Sequence, residues 1–339
     1  MRHGVLFFVA MSGVLATGAH AVEYLVDEPG RWKPWRFNGD RFAREVYGAS
    51  GADLKAFERE LLALDGMIRH ASPVTEPKGF NAETWGGLAE YLAIAPRQPK
   101  GTELPLGGAL GFGAFSILEY RRNGKNVREE SGETQLMHFR VNNIQPHLLG
   151  GRQRPHDWKG VDTDAFLQPA EGGTVAGFPH HGDYLVIKKR PDPLWVPVTV
   201  EEALRLVIAA VEKQVSYLRE TRAPAAAVTK LKEKVAGIEL HVASLRPEDR
   251  IAPSCWTGKG EAWGQRFQIG EGPDCRPLVR PNWAFFDRHL SRSAPQVLLV
   301  TGIGRCLVQR TPSQSPGGCN VNLKLLHALD REALLNWLH

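Results

Sequence analysis

After its first residues the 339-residue chain has no apolar run of the roughly 20 residues that a membrane-spanning helix requires, which excludes a helical span from the body of the protein. No cysteine stands before Cys255 and no Cys-x-x-Cys pair occurs, which argues against a zinc ribbon. The compact catalytic signatures are missing as well: there is no G-x-S-x-G elbow, no H-E-x-x-H, no Walker lysine, and no S-x-x-K in a setting that would make it a nucleophile. No motif names a reaction or calls for a cofactor, and any active centre has to be sought among residues scattered in sequence. Charge is not blocked either. The balance is 42 Lys and Arg against 37 Asp and Glu, and the basic clusters are small: Arg121-Arg122, Arg152 to Arg154, and Lys188-Lys189-Arg190. Nucleic-acid surfaces gather basic residues with aromatics on one face, so no nucleic-acid partner is expected. No internal repeat is found.

What is present begins with a leader. Met1-Arg2-His3 is basic, Val5 to Val9 and Gly13 to Ala16 are apolar or small, and Ala19-His20-Ala21 has the small-x-small form of a cleavage site. That order predicts a secretory signal peptide over 1–21 and a mature protein beginning near Val22 in the periplasm or outside the cell. Cleavage removes one Arg and no acid, taking the net charge from +5 to +4. In an oxidising compartment the four cysteines read as two disulfides. Of the three possible pairings, Cys255–Cys275 and Cys306–Cys319 are favoured because each closes a short loop rich in Gly and Pro.

The strongest periodic signal lies between Leu194 and Leu245. Thr199 and Glu202 have capping-box spacing, and Leu204, Ile208, Val211, Val215 and Leu218 follow at intervals of three and four. Past Thr221-Arg222-Ala223-Pro224, a second stripe runs through Val228, Leu231, Val235, Ile238, Val242 and Leu245. Two stripes joined by a short loop predict an antiparallel helical hairpin over 199–245. Off-stripe Leu206, Val207 and Leu240 broaden its apolar face, which predicts a hairpin packed against the sheet between 184–189 and the C-terminal strands.

The remaining chain divides into an arm with helices (22–103) and a body (104–339). Trp32, Trp35 and Phe37 read as an extended arm lying on the protein, with sugar stacking as the alternative. Ser50 and Asp53 cap a helix carrying Leu54, Phe57, Leu61, Leu64 and Ile68, and a short helix is expected around Trp85 to Leu92. Strands are expected over 110–122, 134–142, 174–177, 184–189, 283–286 and 296–301, with 305–310 beside the last. Turns are expected at Asn123-Gly124 and Gly182-Asp183, a surface loop over 150–170, and a terminal helix from Asp330. Gly107, Gly108, Gly111 and Gly113 lack phosphate-loop spacing and read as bends in a strand. Helix, strands, hairpin, strands, helix is not a βαβ alternation. The expected class is α+β, with a mainly antiparallel sheet, the inserted hairpin and a disulfide-held C-terminal region.

Two concentrations of titratable groups are candidate catalytic sites. In the turn around His180, His181 and Asp183, an imidazole could act as a base and the carboxylate could orient it or hold a metal. Adjacent strand residues point to opposite faces, which keeps His180 and His181 from sharing one metal, so a plain polar turn stands beside that reading. In 282–296, Asp287 and His289 could orient a base and Arg288 could receive a carboxylate; the alternative is a connection whose polar groups satisfy one another.

The run Pro193 to Ala203 (PLWVPVTVEEA), with Asn282, Phe285, Phe286, Asp287, Arg288, Leu290, Arg292, Ser293, Ala294, Pro295 and Gln296, resembles a pattern of uncharacterised exported bacterial proteins. The resemblance implies a bacterial, Gram-negative envelope protein, and it brings no activity and no catalytic residue with it. The leading expectation is an exported soluble protein that binds an envelope or extracellular ligand. The alternatives are a hydrolase of an envelope or extracellular polymer, working through His181, Asp183, Asp287, Arg288 and His289, and a structural protein dimerised through the hairpin.

Overall fold

The computed structural model describes residues 22–39, 48–88, 104–132, 134–144, 154–270, 272, 274–308 and 315–339. The signal peptide expected over 1–21 lies outside the described residues. The chain opens with β1 (Glu23–Tyr24), β2 (Arg36–Asn38), α1 (Gly51–Arg69), α2 (Ser72–Thr75) and β3 (Phe80–Leu88), followed by β4 (Gly108–Arg122), β5 (Lys125–Glu130) and β6 (Met137–Val141). After these come β7 (Phe166–Leu167), β8 (Glu171–Val175), β9 (Phe178–His181), β10 (Tyr184–Lys188) and β11 (Trp195–Pro197). The hairpin helices α3 (Val200–Glu220) and α4 (Ala225–Ser244) precede α5 (Pro247–Ile251), β12 (Ser254–Trp256), α6 (Trp263–Arg266), β13 (Phe267–Ile269) and β14 (Arg276–Pro281). β15 (Val297–Thr301), α7 (Gly304–Val308), α8 (Cys319–Ala328) and α9 (Arg331–Trp337) complete the chain.

The fold is α+β, with two sheets. The larger runs β2-β3-β4-β6-β15-β10-β9-β8, with β1 and β5 on the far half of β4; the smaller runs β11-β14-β12-β13, with β7 on β14. Among the described strands every pairing is antiparallel except β2 with β3. β4 and β5 form a hairpin through Asn123 and Gly124, both at positive φ, the conformation a two-residue turn of matching twist needs. The Val297-Leu298-Leu299-Val300 run is wholly buried because β15 lies inside the sheet, with β6 on one side and β10 on the other.

One face of the large sheet carries the main core. Leu110, Phe112, Phe139, Leu185, Leu298 and Val300 meet Phe57, Leu61, Leu64 and Ile68 of α1, together with Val321, Leu325 and Leu334 of α8 and α9. Each such side chain contributes about 1.5–3 kcal/mol by leaving water. The α1 stripe is set by its capping box: Ser50 Oγ accepts from the Asp53 amide at 3.1 Å, and the Asp53 carboxylate accepts from the Ser50 amide at 2.8 Å. The aromatic arm packs: Trp32 donates to the Val74 carbonyl at 2.8 Å and lies under Arg69, while Trp35 abuts Gly86. Packing, not an open sugar-stacking face, is the role of these two rings.

The hairpin differs from its expected seat. α3 buries Val200, Leu204, Val207 and Val211 against Trp158, Leu167, Phe267 and Leu278, so it rests on the smaller sheet. Along α4 only Ile238 and Val242 are buried, and Leu240 is 72% exposed instead of widening the apolar face. Thr199 caps α3 through the Glu202 amide, but the Glu202 carboxylate turns away to Arg280 rather than closing a capping box.

Other expectations are corrected. Trp85 to Leu88 is strand, because β3 pairs residue by residue with β4. Residues 304–308 are helix α7 and Trp283–Phe285 is a 3-10 turn. The stretch taken for a surface loop buries Trp158, Ala165, Phe166 and Leu167, with the Trp158 indole donating to the Ala203 carbonyl at 3.1 Å. Both disulfides form as paired in the sequence reading: Cys255–Cys275 clamps β12 near β14, and Cys306–Cys319 ties α7 to α8.

Candidate functional site: a polar row across the second sheet face

The face of the large sheet opposite the main core is covered in part. Leu194, Phe285, Phe286 and Trp195 pack on Val186, Val297 and Leu299. Bordering that apolar cover is a row of a different kind. The strand registers set Trp85 opposite Gly111, Gly111 opposite His138, and His138 opposite Thr301. Since Leu185 faces Val300, one further step brings Tyr184 opposite Thr301; Tyr184 faces His181, which in turn faces Glu171. Seven strands thus contribute one residue each to a line about 29 Å long, at about 4.8 Å per strand step.

Arg140 stands two residues along β6 from His138, on the same face, and its Nε donates to Thr301 Oγ1 at 3.3 Å. It is only 2% exposed. The Trp85 indole lies over Gly111, where a Cβ would collide with it, and meets the His138 ring edge-on at 6.3 Å. At the other end His181 meets Trp195 edge-on at 5.7 Å, and Trp195 donates to the Ile144 carbonyl at 2.8 Å. The His181 Nδ1 is buried with no hydrogen-bond partner among the described residues.

Burial sets the protonation of this row. It lowers His138 to about 4, with the Arg140 charge adding to the effect, and it lowers His181 too. Both rings are neutral at pH 7. Burial pushes Tyr184 up to about 12 against the opposing pull of Arg140, so its hydroxyl stays protonated. The row therefore offers a guanidinium, a phenol, a Thr hydroxyl and two neutral imidazoles, flanked by two indoles, with the exposed Glu171 carboxylate at its far end beside His181.

No protein family, curated protein or solved structure matches the chain.

Of the five residues singled out from sequence, His181 alone stands in the row. His180 faces the other side of β9, paired with Leu185, with its ring on Gly172, as strand alternation requires. Asp183 is exposed in the β9–β10 turn, its carboxylate against Gly304 at the start of α7. The other cluster lies at the opposite end of β15: Lys188 pairs with Val297, whereas the His181 turn lies beyond Thr301. About 13–17 Å of strand separates the two groups, so they do not share a site. Asp287 accepts from the His289 backbone amide at 2.8 Å, not from its ring, and its own amide donates to Gln296 at 2.7 Å. Gln296 is held in turn by Asn142, so this connection satisfies its own backbone. Arg288 and His289 are exposed.

Sequence reasoning missed Trp85, His138, Arg140, Tyr184 and Thr301. One signal was readable: Met137-His138-Phe139-Arg140-Val141 alternates strictly, placing His138 and Arg140 on the face away from the core. Gly111 inside a strand was another, since such a glycine marks a close approach.

Among the described residues no group of three or more His, Cys, Asp or Glu is placed to hold a metal, and no helix is long and apolar enough to cross a membrane.

Proposed function

We propose that the protein is an exported binding protein of the bacterial envelope, and that it takes a small ligand bearing a carboxylate or phosphate along the Trp85–His181 row. The observation that carries this reading is Arg140, a guanidinium buried on the sheet face amid hydroxyls and neutral imidazoles. A buried guanidinium is the side chain best suited to an oxyanion, and flanking indoles supply apolar walls. Export is supported by the leader and by two disulfides of the kind an oxidising compartment maintains. The hydrolase reading has weaker support. An imidazole held near a pKa of 4 is a poor base at neutral pH, the Thr301 oxygen already accepts from Arg140, and Asp183 and Asp287 serve turns.

The test uses the mature chain from Val22, titrated with a panel of sugar acids and sugar phosphates and followed by thermal shift and tryptophan fluorescence. A true ligand at a hundred times its Kd stabilises by about 2.7 kcal/mol. Arg140→Gln should abolish that gain while the far-UV circular dichroism is retained. If no member of the panel stabilises the wild type, or if Arg140→Gln responds equally, the reading falls.

A further inference from the structure

A second feature stands apart from the sheet face. A groove of about 690 Å³ opens between α3, α4 and the 3-10 turn His156–Trp158. Its charged wall is lysine: Lys159, Lys213 and Lys234, all exposed. The groove's one carboxylate is that of Asp157, whose side chain is only 2% exposed and is engaged, accepting from Arg266 Nη1 at 2.5 Å and from the Trp256 indole at 3.0 Å. Arg266 and Asp157 cancel, and three ammonium groups remain. Two of them are held in place. Lys213 Nζ donates to the Gly160 carbonyl at 2.8 Å, and Lys234 Nζ stands 5.2 Å above the Trp263 ring. Lys213 and Tyr217 are four residues apart on one helical face, and the Tyr217 side of the groove is open, that residue being 62% exposed.

The basic character is local. A second groove, on another face of α3, is lined by Glu201, Glu212 and Glu239 with Arg205 and Arg250. Lysines are point charges that can each pair with a single carboxylate spaced along a chain, and the one guanidinium lining the groove is committed to Asp157. An exposed phenol ring beside fixed ammonium groups offers a flat surface on which a sugar ring can lie. A concave wall fits a chain better than the flat surface of a bilayer.

We infer that this groove binds an acidic polysaccharide, its carboxylates paired with Lys159, Lys213 and Lys234 and a sugar ring resting on Tyr217. The inference is independent of the ligand at the sheet face. It is tested by titrating the mature protein with an alginate oligouronate, with dextran as the neutral control and phosphatidylglycerol vesicles as the competing anionic surface. The wild type should bind the oligouronate saturably, bind dextran not at all, and weaken as salt rises. The Lys159→Glu, Lys234→Glu double variant should bind about tenfold or more weakly, since two exposed ion pairs are replaced by like-charge contacts, with its far-UV circular dichroism retained. Tyr217→Ala should also weaken binding, and Arg205→Gln, in the second groove, should bind as the wild type does. The assignment is overturned if the oligouronate does not bind at low salt, if charge reversal leaves affinity unchanged, if Arg205→Gln in the second groove removes it, or if only the vesicles bind.

Discussion

His138 makes the stability of the fold depend on pH in a direction that can be worked out. In the unfolded chain its imidazole titrates near 6.5; in the folded sheet, burial and the neighbouring Arg140 hold it at about 4. As pH falls below 6.5 the unfolded chain takes up a proton that the folded chain refuses, so stability drops until the folded pKa is reached and then levels off. At 1.36 kcal/mol per pH unit, the difference amounts to about 3 kcal/mol lost between about pH 7 and pH 4. His181 is lowered in the same direction, as are any other groups that titrate in this range, so the comparison must isolate one ring. His138→Gln keeps a polar side chain against Trp85 and does not titrate. Urea unfolding of both proteins across this range should show the wild type losing about 3 kcal/mol more than the variant. Parallel profiles, or a His138 NMR resonance titrating near 6.5, would refute the claim that this ring is held neutral.

Two further outcomes concern architecture. Replacing Cys255 and Cys275 by Ser opens a 20-residue loop and should cost about 3 kcal/mol in chemical denaturation, while mass spectrometry of the untreated protein should find no free thiol. Val211→Asp places a charge in the closed cluster under the hairpin and should destabilise by more than about 3 kcal/mol, whereas Leu240→Asp, on the open side of α4, should change stability by less than about 0.5 kcal/mol.

The parts of the fold that were legible in sequence are those fixed by neighbours. Three-and-four spacing identified α1, α3 and α4, Asp330 caps α9 through the amides of Glu332 and Ala333, and short Gly- and Pro-rich loops identified both disulfides. Failures occurred where a distant partner decides. Trp85-Gly86-Gly87-Leu88 has no strand signal of its own and becomes strand because nine consecutive residues of β4 lie beside β3. Residues 305–310 were expected as a strand beside β15, yet Gly304–Val308 is a helix tied by Cys306 to α8. The polar row was illegible for the same reason. Its members come from seven strands, and only the pairing register, which no local spacing encodes, sets His138 beside both Trp85 and Thr301.

The place of β15 also governs how the protein must be made. It is drawn from the last fifth of the chain, yet it fills the gap between β6 and β10, strands complete more than a hundred residues earlier. As the chain emerges, both of those strands present unpaired backbone edges, and they keep them until residues 297–301 arrive. Such closure is a long-range and therefore slow step, with the apolar strands Met137–Val141 and Tyr184–Lys188 open to other chains throughout. Truncation before β15 should accordingly yield an aggregating half-sheet and not a smaller stable domain, and a cell making this protein has reason to shield the nascent edge until the C-terminus is delivered.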